Sequence, residues 1–407
     1  MTENAAQTIS NRNEVIRINV EVPHIIKYMG SKRQILDFVL QGIEDCYLGG
    51  KVCDLFAGSS VLSGALRNSV PVLSNDIQIY SSILAKTYTS SYDWDKEPNI
   101  LQEIVDKATI RAEHFFSTYP NLVFDYSIPM DLKKFNEIEK MQQGLINEDF
   151  SDFSYHLFTK YYSGTYWSYN QCVWIDSLRE VADEYKNSPY YYAILSSLMF
   201  AMSYNSQSTG HYAQYRDANT VSAMNDILTY RQKSILPFFI RKFEEFQQVL
   251  GKNTLSHDVL SLDYLDCLDK IEPNTTVYAD PPYCFVHYSR FYHAIETLVR
   301  YDYPEVNHKG RYRTDRHQSP FCIRTKVAKA FEKMFIKIKE KQSNLVLSYS
   351  NTGMIDLEKL TQIASTVFGT RYNIEVRAQD YLHSTMGRRE DKSRDVQEYL
   401  ILVKRLA

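Results

Sequence analysis

Lys51-Val52-Cys53-Asp54-Leu55-Phe56-Ala57-Gly58-Ser59-Ser60-Val61, with Val70-Pro71-Val72-Leu73-Ser74-Asn75-Asp76 a little further on, is the stretch on which the fold turns. The first segment reads as a short buried strand, Lys51 to Phe56, passing through a glycine turn at 57–60 into a helix from Val61 to Asn68. The second is another short apolar run that ends on an acid. Strand, glycine turn, helix, strand is the opening of a parallel α/β sheet, since parallel strands need a crossover and the crossover helix covers the sheet.

Towards the amino end, His24-Ile25-Ile26-Lys27-Tyr28-Met29-Gly30-Ser31-Lys32 leads into an expected helix, Ile35 to Cys46. Residues 1–19 are polar and mixed in charge, which predicts a flexible tail rather than a signal peptide. Beyond Asp76 the α/β rhythm lapses. Residues 81–251 are mostly helical in pattern and rich in tyrosine, with an aromatic cluster from Tyr161 to Tyr169. Strand-like segments resume at Thr254–Asp258, Thr275–Ala279, Asn344–Ser350 and Glu398–Val403. One α/β domain in two pieces, 20–80 and 252–407, with an insertion at 81–251, accounts for this pattern. No internal repeat or low-complexity tract interrupts it.

A chain of 407 residues with 44% apolar residues can bury a large core, and fits one large domain plus an inserted lobe. The formal charge of −3 neither requires nor excludes nucleic acid, because binding depends on where cations cluster. The 32 tyrosines suit stacking on bases, although an aromatic-rich core accounts for most of them. The six cysteines are scattered, with no C-x-x-C pair, which argues against a zinc ribbon or a disulfide scaffold. No run is long enough to span a bilayer. These features predict a soluble, cytoplasmic protein without a metal.

Asp280-Pro281-Pro282-Tyr283 closes the apolar run Thr276-Val277-Tyr278-Ala279. A carboxylate and a proline carbonyl at a strand end can each accept one N–H of a flat heterocyclic amine, and a tyrosine can stack on its ring. The prolines fix φ and bring no competing N–H. An Asp-Pro-Pro turn with no such role is the plain alternative. Between the first strand and its helix the turn has one glycine, too few for the pyrophosphate cradle of a dinucleotide fold. Asp76, 18 residues beyond Gly58, stands where an acid grips ribose hydroxyls. A phosphate-poor adenosine ligand fits this pair better than NAD.

Taken in order, Lys27-Tyr28-Met29-Gly30-Ser31-Lys32, Asp54-Leu55-Phe56-Ala57-Gly58, Asn75-Asp76 and Asp280-Pro281-Pro282-Tyr283 form a recognisable series. The chain resembles the DNA adenine-N6 methyltransferases of the Dam-like, D12 class, from about Ile26 to Leu402. Further support comes from Phe291-Tyr292-His293, Tyr301-Asp302-Tyr303-Pro304-Glu305, Leu347-Ser348-Tyr349-Ser350-Asn351 and His383-Ser384-Thr385-Met386-Gly387-Arg388. The resemblance implies a Rossmann-like α/β methyltransferase fold that uses S-adenosylmethionine, with 81–251 as a mainly helical DNA target-recognition lobe. It implies that Tyr28, Met29, Gly30 and Lys32 form the amino-terminal cofactor motif, with the lysine near the methionine carboxylate. Asp54, Phe56, Ala57, Gly58 and Ser59 would flank the cofactor, and Asp76 with Ile77 would hold its ribose. Asp258 and Val259 would meet its adenine, with Asp263-Tyr264 as the alternative. Asp280, Pro281, Pro282 and Tyr283 would be catalytic, with Asp280 also against the cofactor. One departure is Ser60, where the family more often has glycine.

An adenine inside a duplex cannot reach such a pocket, so the resemblance also implies base flipping onto Tyr283. The aspartate opening the tetrapeptide favours adenine over N4 of cytosine. RNA, protein, or a DNA-binding subunit without activity are the other readings. For the DNA contacts, Lys309-Gly310-Arg311-Tyr312-Arg313-Thr314-Asp315-Arg316-His317 is the densest basic stretch, so Lys309, Arg311, Arg313 and Arg316 are the candidates, with a solvated loop as the alternative. Arg388 opens a second basic run. Double-stranded DNA is the expected partner, a cognate restriction endonuclease an accompanying one, and a monomer the default. A bacterial or phage-encoded, nucleoid-associated role is what the resemblance implies.

Overall fold

The computed structural model describes residues 16, 21–127, 129–207, 211–282, 288–383 and 394–406. Nine strands are present among them: β1 (Val52–Asp54), β2 (Val72–Asn75), β3 (Asp258–Leu260), β4 (Thr276–Ala279), β5 (Val306–Asn307), β6 (Tyr312–Arg313), β7 (Asn344–Ser350), β8 (Tyr372–His383) and β9 (Arg394–Arg405). Seven of them form one sheet in the order β3-β2-β1-β4-β7-β9-β8, while β5 and β6 make a separate antiparallel ribbon. The five strands from β3 to β7 run parallel, and β9 lies antiparallel between β7 and β8.

Alternation along the strands sends successive side chains to opposite faces. Val52, Val72, Tyr278, Val346, Leu400 and Leu402 join one apolar cluster, and Cys53, Leu73, Val277, Leu345, Leu347, Ile401 and Val403 join another. Helices Leu36–Cys46, Ile79–Thr89 and Tyr190–Asn205 pack in the first cluster. Tyr264–Lys270, Val327–Glu340 and Leu357–Phe368 pack in the second. The result is a mixed α/β architecture with a mostly parallel sheet between two helical layers, consistent with the expected methyltransferase fold.

The order of the strands locates a crevice. From β1 the chain proceeds outward through β2 to β3, then crosses to the other side of β1 with β4. Between β1 and β4 the winding reverses, and in open α/β sheets ligands bind outside the carboxyl ends of the strands at such a reversal. Asp54 closes β1 and Asp280 follows β4, so the two acids face that point from either side.

Three expectations change in detail. The break placed between 80 and 81 falls inside a helix, Ile79–Thr89, whose Tyr80, Ile83, Leu84 and Tyr88 are buried with Val52 and Val72. The strand expected from Thr254 begins only at Asp258, because the His257 ring Nδ1 accepts the Val72 N–H at 3.1 Å where a strand carbonyl would have stood. β8 was not anticipated. As an edge strand paired only with β9, it carries half-buried, charged side chains such as Glu375 and Arg377, a pattern that edges use against aggregation.

Candidate functional site at the carboxyl edge of the sheet

A cavity opens at the carboxyl ends of β1, β2 and β4, and the turn after β1 forms its floor. Gly58 stands there at φ +50, the left-handed region that favours glycine. A Cβ at this position would lie 2.8 Å from the Tyr28 Oη and 2.9 Å from Cζ, so the turn and the tyrosine approach closer than any side chain allows. Ser60 follows at φ 56, ψ 25, also left-handed, so a serine here holds the backbone conformation that glycine favours. Its hydroxyl donates to the Ser81 carbonyl at 3.1 Å.

Asp76 and Asn75 fasten this turn. The Asp76 carboxylate accepts the Gly58 N–H and the Gln78 N–H, each at 2.9 Å, through separate oxygens. Burial pushes its carboxyl above the usual range, and those backbone donors draw it back down. Asn75, fully enclosed, donates to the carbonyls of Leu55 and Leu262 and accepts the Leu262 N–H, tying the exits of β1 and β3 together. Tyr28 stacks on Tyr292 with centroids 4.8 Å apart, and the Tyr292 hydroxyl accepts the Met29 N–H at 2.7 Å. Phe56 meets Phe321 edge-on at 5.5 Å and so lines the far side.

Three carboxylates converge here. Asp54 is buried with its Oδ1 unpartnered among the described residues, and burial followed by the nearby charges of Asp280 and Asp76 holds its carboxyl well above the ordinary range. Asp280 is raised to about 7: burial lifts it, Glu398 lifts it further, and the Lys32 ammonium opposes both. Lys32 lies 3.1 Å from the Asp280 Oδ1 and is hydrogen-bonded to Glu398. At near-neutral pH such a site can present an ionised or a protonated acid to an amine, the balance decided by few neighbours.

Most of the sequence candidates therefore meet around one cavity: Tyr28, Met29, Gly30 and Lys32 from the amino end, Asp54 to Ser59 from the turn, Asp76 and Ile77 after β2, and Asp280, Pro281 and Pro282 after β4. Asp258 and Val259 do not. They sit at the entrance of β3, where the Asp258 carboxylate pairs with Lys51, and the cavity is lined instead by Leu262, Asp263 and Tyr264 at its exit. The alternative weighed for the adenine side is thus the one the fold brings to the cavity. Lys32 faces Asp280 and Glu398, not an open stretch of wall. Tyr283 and Arg388 lie outside the described residues.

Two of the four basic candidates are committed within the protein. Arg313 is buried, its guanidinium bidentate to Asp302 at 2.6 and 2.8 Å and also paired with Asp315. Arg311 donates to the Tyr161 and Gln143 carbonyls, joining β6 to the helical region. Arg313 is thus enclosed among carboxylates, and Arg311 is tied to two backbone carbonyls. Lys309 and Arg316 line a second, polar cavity with Arg290, His308 and Tyr312, and this cavity shares Ser289, His317 and Gln318 with the first. There Arg290 and Arg316 each lie 5.1 Å from the Tyr312 ring centroid, and Lys309 pairs with Asp217. Among the described residues, sequence reasoning missed Glu398, Asn75 as a tie, and Arg290. An acid opening the apolar run Tyr399-Leu400-Ile401-Leu402-Val403 was the available signal for the first.

Comparison with known proteins adds independent findings. A family model described as D12 class N6 adenine-specific DNA methyltransferase matches residues 28–363. Among curated proteins, the chain is 23% identical to modification methylase LlaI of Lactococcus lactis subsp. lactis, over 88% of this chain and 51% of the relative. It is 22% identical to modification methylase StsI of Streptococcus sanguinis, over 93% of this chain and 52% of the relative. Against the type II methyltransferase M.NlaIII of Neisseria lactamica, 22% identity covers 93% of this chain and 99% of the relative. The chain thus spans about half the length of the first two and nearly all of the third. Among the described residues, no helix is long and apolar enough to cross a membrane.

Proposed function

Because the chain belongs to the D12 class N6 adenine-specific DNA methyltransferases, we propose that it methylates N6 of an adenine in a short duplex DNA sequence, with S-adenosylmethionine as donor. The observation that carries this reading is the meeting of Asp54, Asp76 and Asp280 at the reversal of the sheet, beside a glycine turn with no room for a side chain. The residues present fit such a donor. The unpartnered Asp54 oxygen and the surplus of acids over Lys32 suit a ligand that carries positive charge, and the glycine turn admits close backbone approach. Tyr28 to Lys32, the turn at 54–59, Asp76 with Ile77, and Asp263 would hold it. When bound, it supplies an electrophilic methyl on a sulfonium.

The protein's part is to make a weak nucleophile attack. An adenine amino group delocalises its lone pair into the ring. Asp280 and the Pro281 carbonyl each accept one of its N–H groups and favour a pyramidal nitrogen with its lone pair free. As the N–C bond forms, positive charge develops on N6 beside the Asp280 carboxylate, which stabilises the transition state more than the ground state. The surplus proton leaves N6 after transfer, to Asp280 or to water. The base reaches the cavity by flipping, with Tyr283 as its stacking partner.

Lys309, Arg316 and Arg290, around the adjoining polar cavity, are the cations assigned to the DNA backbone, with Arg388 beyond the described residues. The helical region within 81–251 carries sequence recognition. The relatives' names speak of modification, so the role we assign is protection of DNA alongside a restriction endonuclease, by a monomer in a bacterial cytoplasm. Transfer of labelled methyl groups to unmethylated genomic DNA, followed by modified-base sequencing, tests the proposal. N6-methyladenine in one short motif is expected, with the rate lowered by about a hundredfold or more in Asp280→Asn. Label-free DNA despite measurable cofactor binding refutes it.

A further inference from the structure

Asp280 does not face Lys32 alone. Lys32, from the turn Lys32–Ile35, is 7% exposed and contacts two carboxylates, Asp280 and Glu398. Glu398 is 2% exposed and comes from β9, opposite Ser350 at the carboxyl end of β7. A buried glutamate and a partly exposed aspartate therefore share one ammonium, the aspartate just after β4 at the reversal of the sheet and the glutamate on β9, two strands away. A buried ion pair is poor value for stability, since apolar residues of similar volume often replace one without loss. Its placement behind the acid of the proposed reaction calls for a role in that acid's behaviour.

We propose that Lys32 and Glu398 are positioning residues that act together on Asp280: Lys32 favours its ionised form, and Glu398 holds Lys32 back so that the carboxylate oxygens stay available to an incoming amine. This rests on the reading of Asp280 as an amine acceptor. Without Lys32, burial would leave Asp280 protonated, and its O–H would oppose an N–H donor. With Lys32 undivided, the ammonium would occupy the acceptor that the amine needs. A second carboxylate gives the ammonium another partner, and both states are avoided.

Among the described residues, the groups facing Asp280 are few. Lys32 reaches it from the amino-terminal turn, Glu398 from β9, Asp54 from β1, and Tyr278 from its own strand, with Asp76 acting one step further away on Asp54. Among these Lys32 supplies the only positive charge. Burial lifts the Asp280 carboxyl to about 7, with Glu398 adding to the lift and Lys32 opposing it. Removing either neighbour should therefore move its titration in opposite directions.

The test is a carboxyl-carbon NMR titration of aspartate-labelled protein, free of cofactor and DNA, with the Asp280 signal assigned by its absence in Asp280→Asn. In Lys32→Met the midpoint should rise by about one pH unit or more, and in Glu398→Gln it should fall by about half a unit or more. Lys32→Arg, which keeps the charge, should titrate as the parent does. The acidic limb of the kcat profile on DNA should move in the same sense in each variant. Unmoved midpoints in either Lys32→Met or Glu398→Gln, with the fold intact by circular dichroism, overturn the proposal, as does a shift in the wrong direction. If Lys32→Met does not fold, Glu398→Gln alone decides. Since the titration needs no methyl transfer, an inactive parent would refute the proposed function while leaving this result to stand separately.

Discussion

Gly58→Ala is the perturbation for which the structure gives the sharpest expectation. Two costs are separable. The first is backbone: at φ +50 an alanine costs about 1–2 kcal/mol relative to glycine. The second is collision, since the new methyl would meet the Tyr28 Oη, Cζ and Cε1 at 2.8, 2.9 and 3.0 Å. Tyr28 cannot simply swing aside, because it stacks on Tyr292 at 4.8 Å and packs against Tyr288 at 5.7 Å. Overpacking of that kind adds about 1–3 kcal/mol. Gly49 provides the control: it stands at φ +86 with nothing within 4 Å of the place an alanine methyl would take, so Gly49→Ala carries the backbone cost without the collision.

At about 2 cal/mol/K per residue for a chain of this length, each kcal/mol moves Tm by roughly 1 °C. Calorimetry without ligand should then show a loss of about 1–2 °C for Gly49→Ala and about 2–5 °C for Gly58→Ala. Titration with S-adenosylhomocysteine should separate them further, with affinity unchanged in the first and reduced about tenfold or more in the second, because only Gly58 floors the cavity. Adding Tyr28→Leu to Gly58→Ala should recover part of the lost stability, since all three colliding atoms are removed. Equal Tm losses for the two glycines, with full binding by Gly58→Ala, would refute the close approach.

Two other expectations are sharp enough to test. Asp280 reaches about 7 in the folded protein against about 4 unfolded, so its contribution to stability is whole below the unfolded value and is lost as pH rises through the folded one. Asp280→Asn should accordingly gain stability relative to the parent as pH rises from 5 to 7, by about 2 kcal/mol, measured by denaturant unfolding without cofactor, and a pH-independent difference would contradict this. Arg313→Ala should lower Tm, because it removes the buried guanidinium that pairs with both Asp302 and Asp315 and leaves Arg300 alone between them, and should leave the salt dependence of DNA binding as it was. Lys309→Ala and Arg316→Ala should each reduce the slope of log K against log salt by about one and spare Tm, and the reverse pattern would return Arg313 to the DNA face.

The central strands were legible because β1, β2, β4 and β7 are buried on both faces, and such strands read as continuous apolar runs. β8 was not, because its edge position lets polar residues alternate with apolar ones. The acids Asp54, Asp76 and Asp280 were legible for a local reason, each lying at or just after the end of an apolar run. Glu398 was not, since its partner Lys32 lies 366 residues away and only the antiparallel insertion of β9 beside β7 brings them together. The same distance problem hid the internal partners of the basic stretch. From sequence, Arg311 and Arg313 look like Lys309 and Arg316, and only the fold shows that β6 buries Arg313 against Asp302 and ties Arg311 to the Gln143 carbonyl.

What separates the site from the rest of the sheet is where local rules are broken. Within three residues the turn after β1 holds a glycine with no room for a methyl and a serine in a glycine conformation. Around it stand a carboxylate oxygen with no partner among the described residues, a second acid raised to about 7, and one lysine between two carboxylates. Each feature works against stability: left-handed backbone costs about 1–2 kcal/mol, and desolvated acids resist ionising. Elsewhere the same strands obey the ordinary preferences, with buried aliphatics on both faces and Asn75 satisfying its neighbours. Sequences agree with their folds at every level except where function demands otherwise. Three acids, a lysine shared between carboxylates and a turn with no room for a methyl around one cavity, at the reversal of the sheet, are a physical argument for a working site there that stands apart from any resemblance.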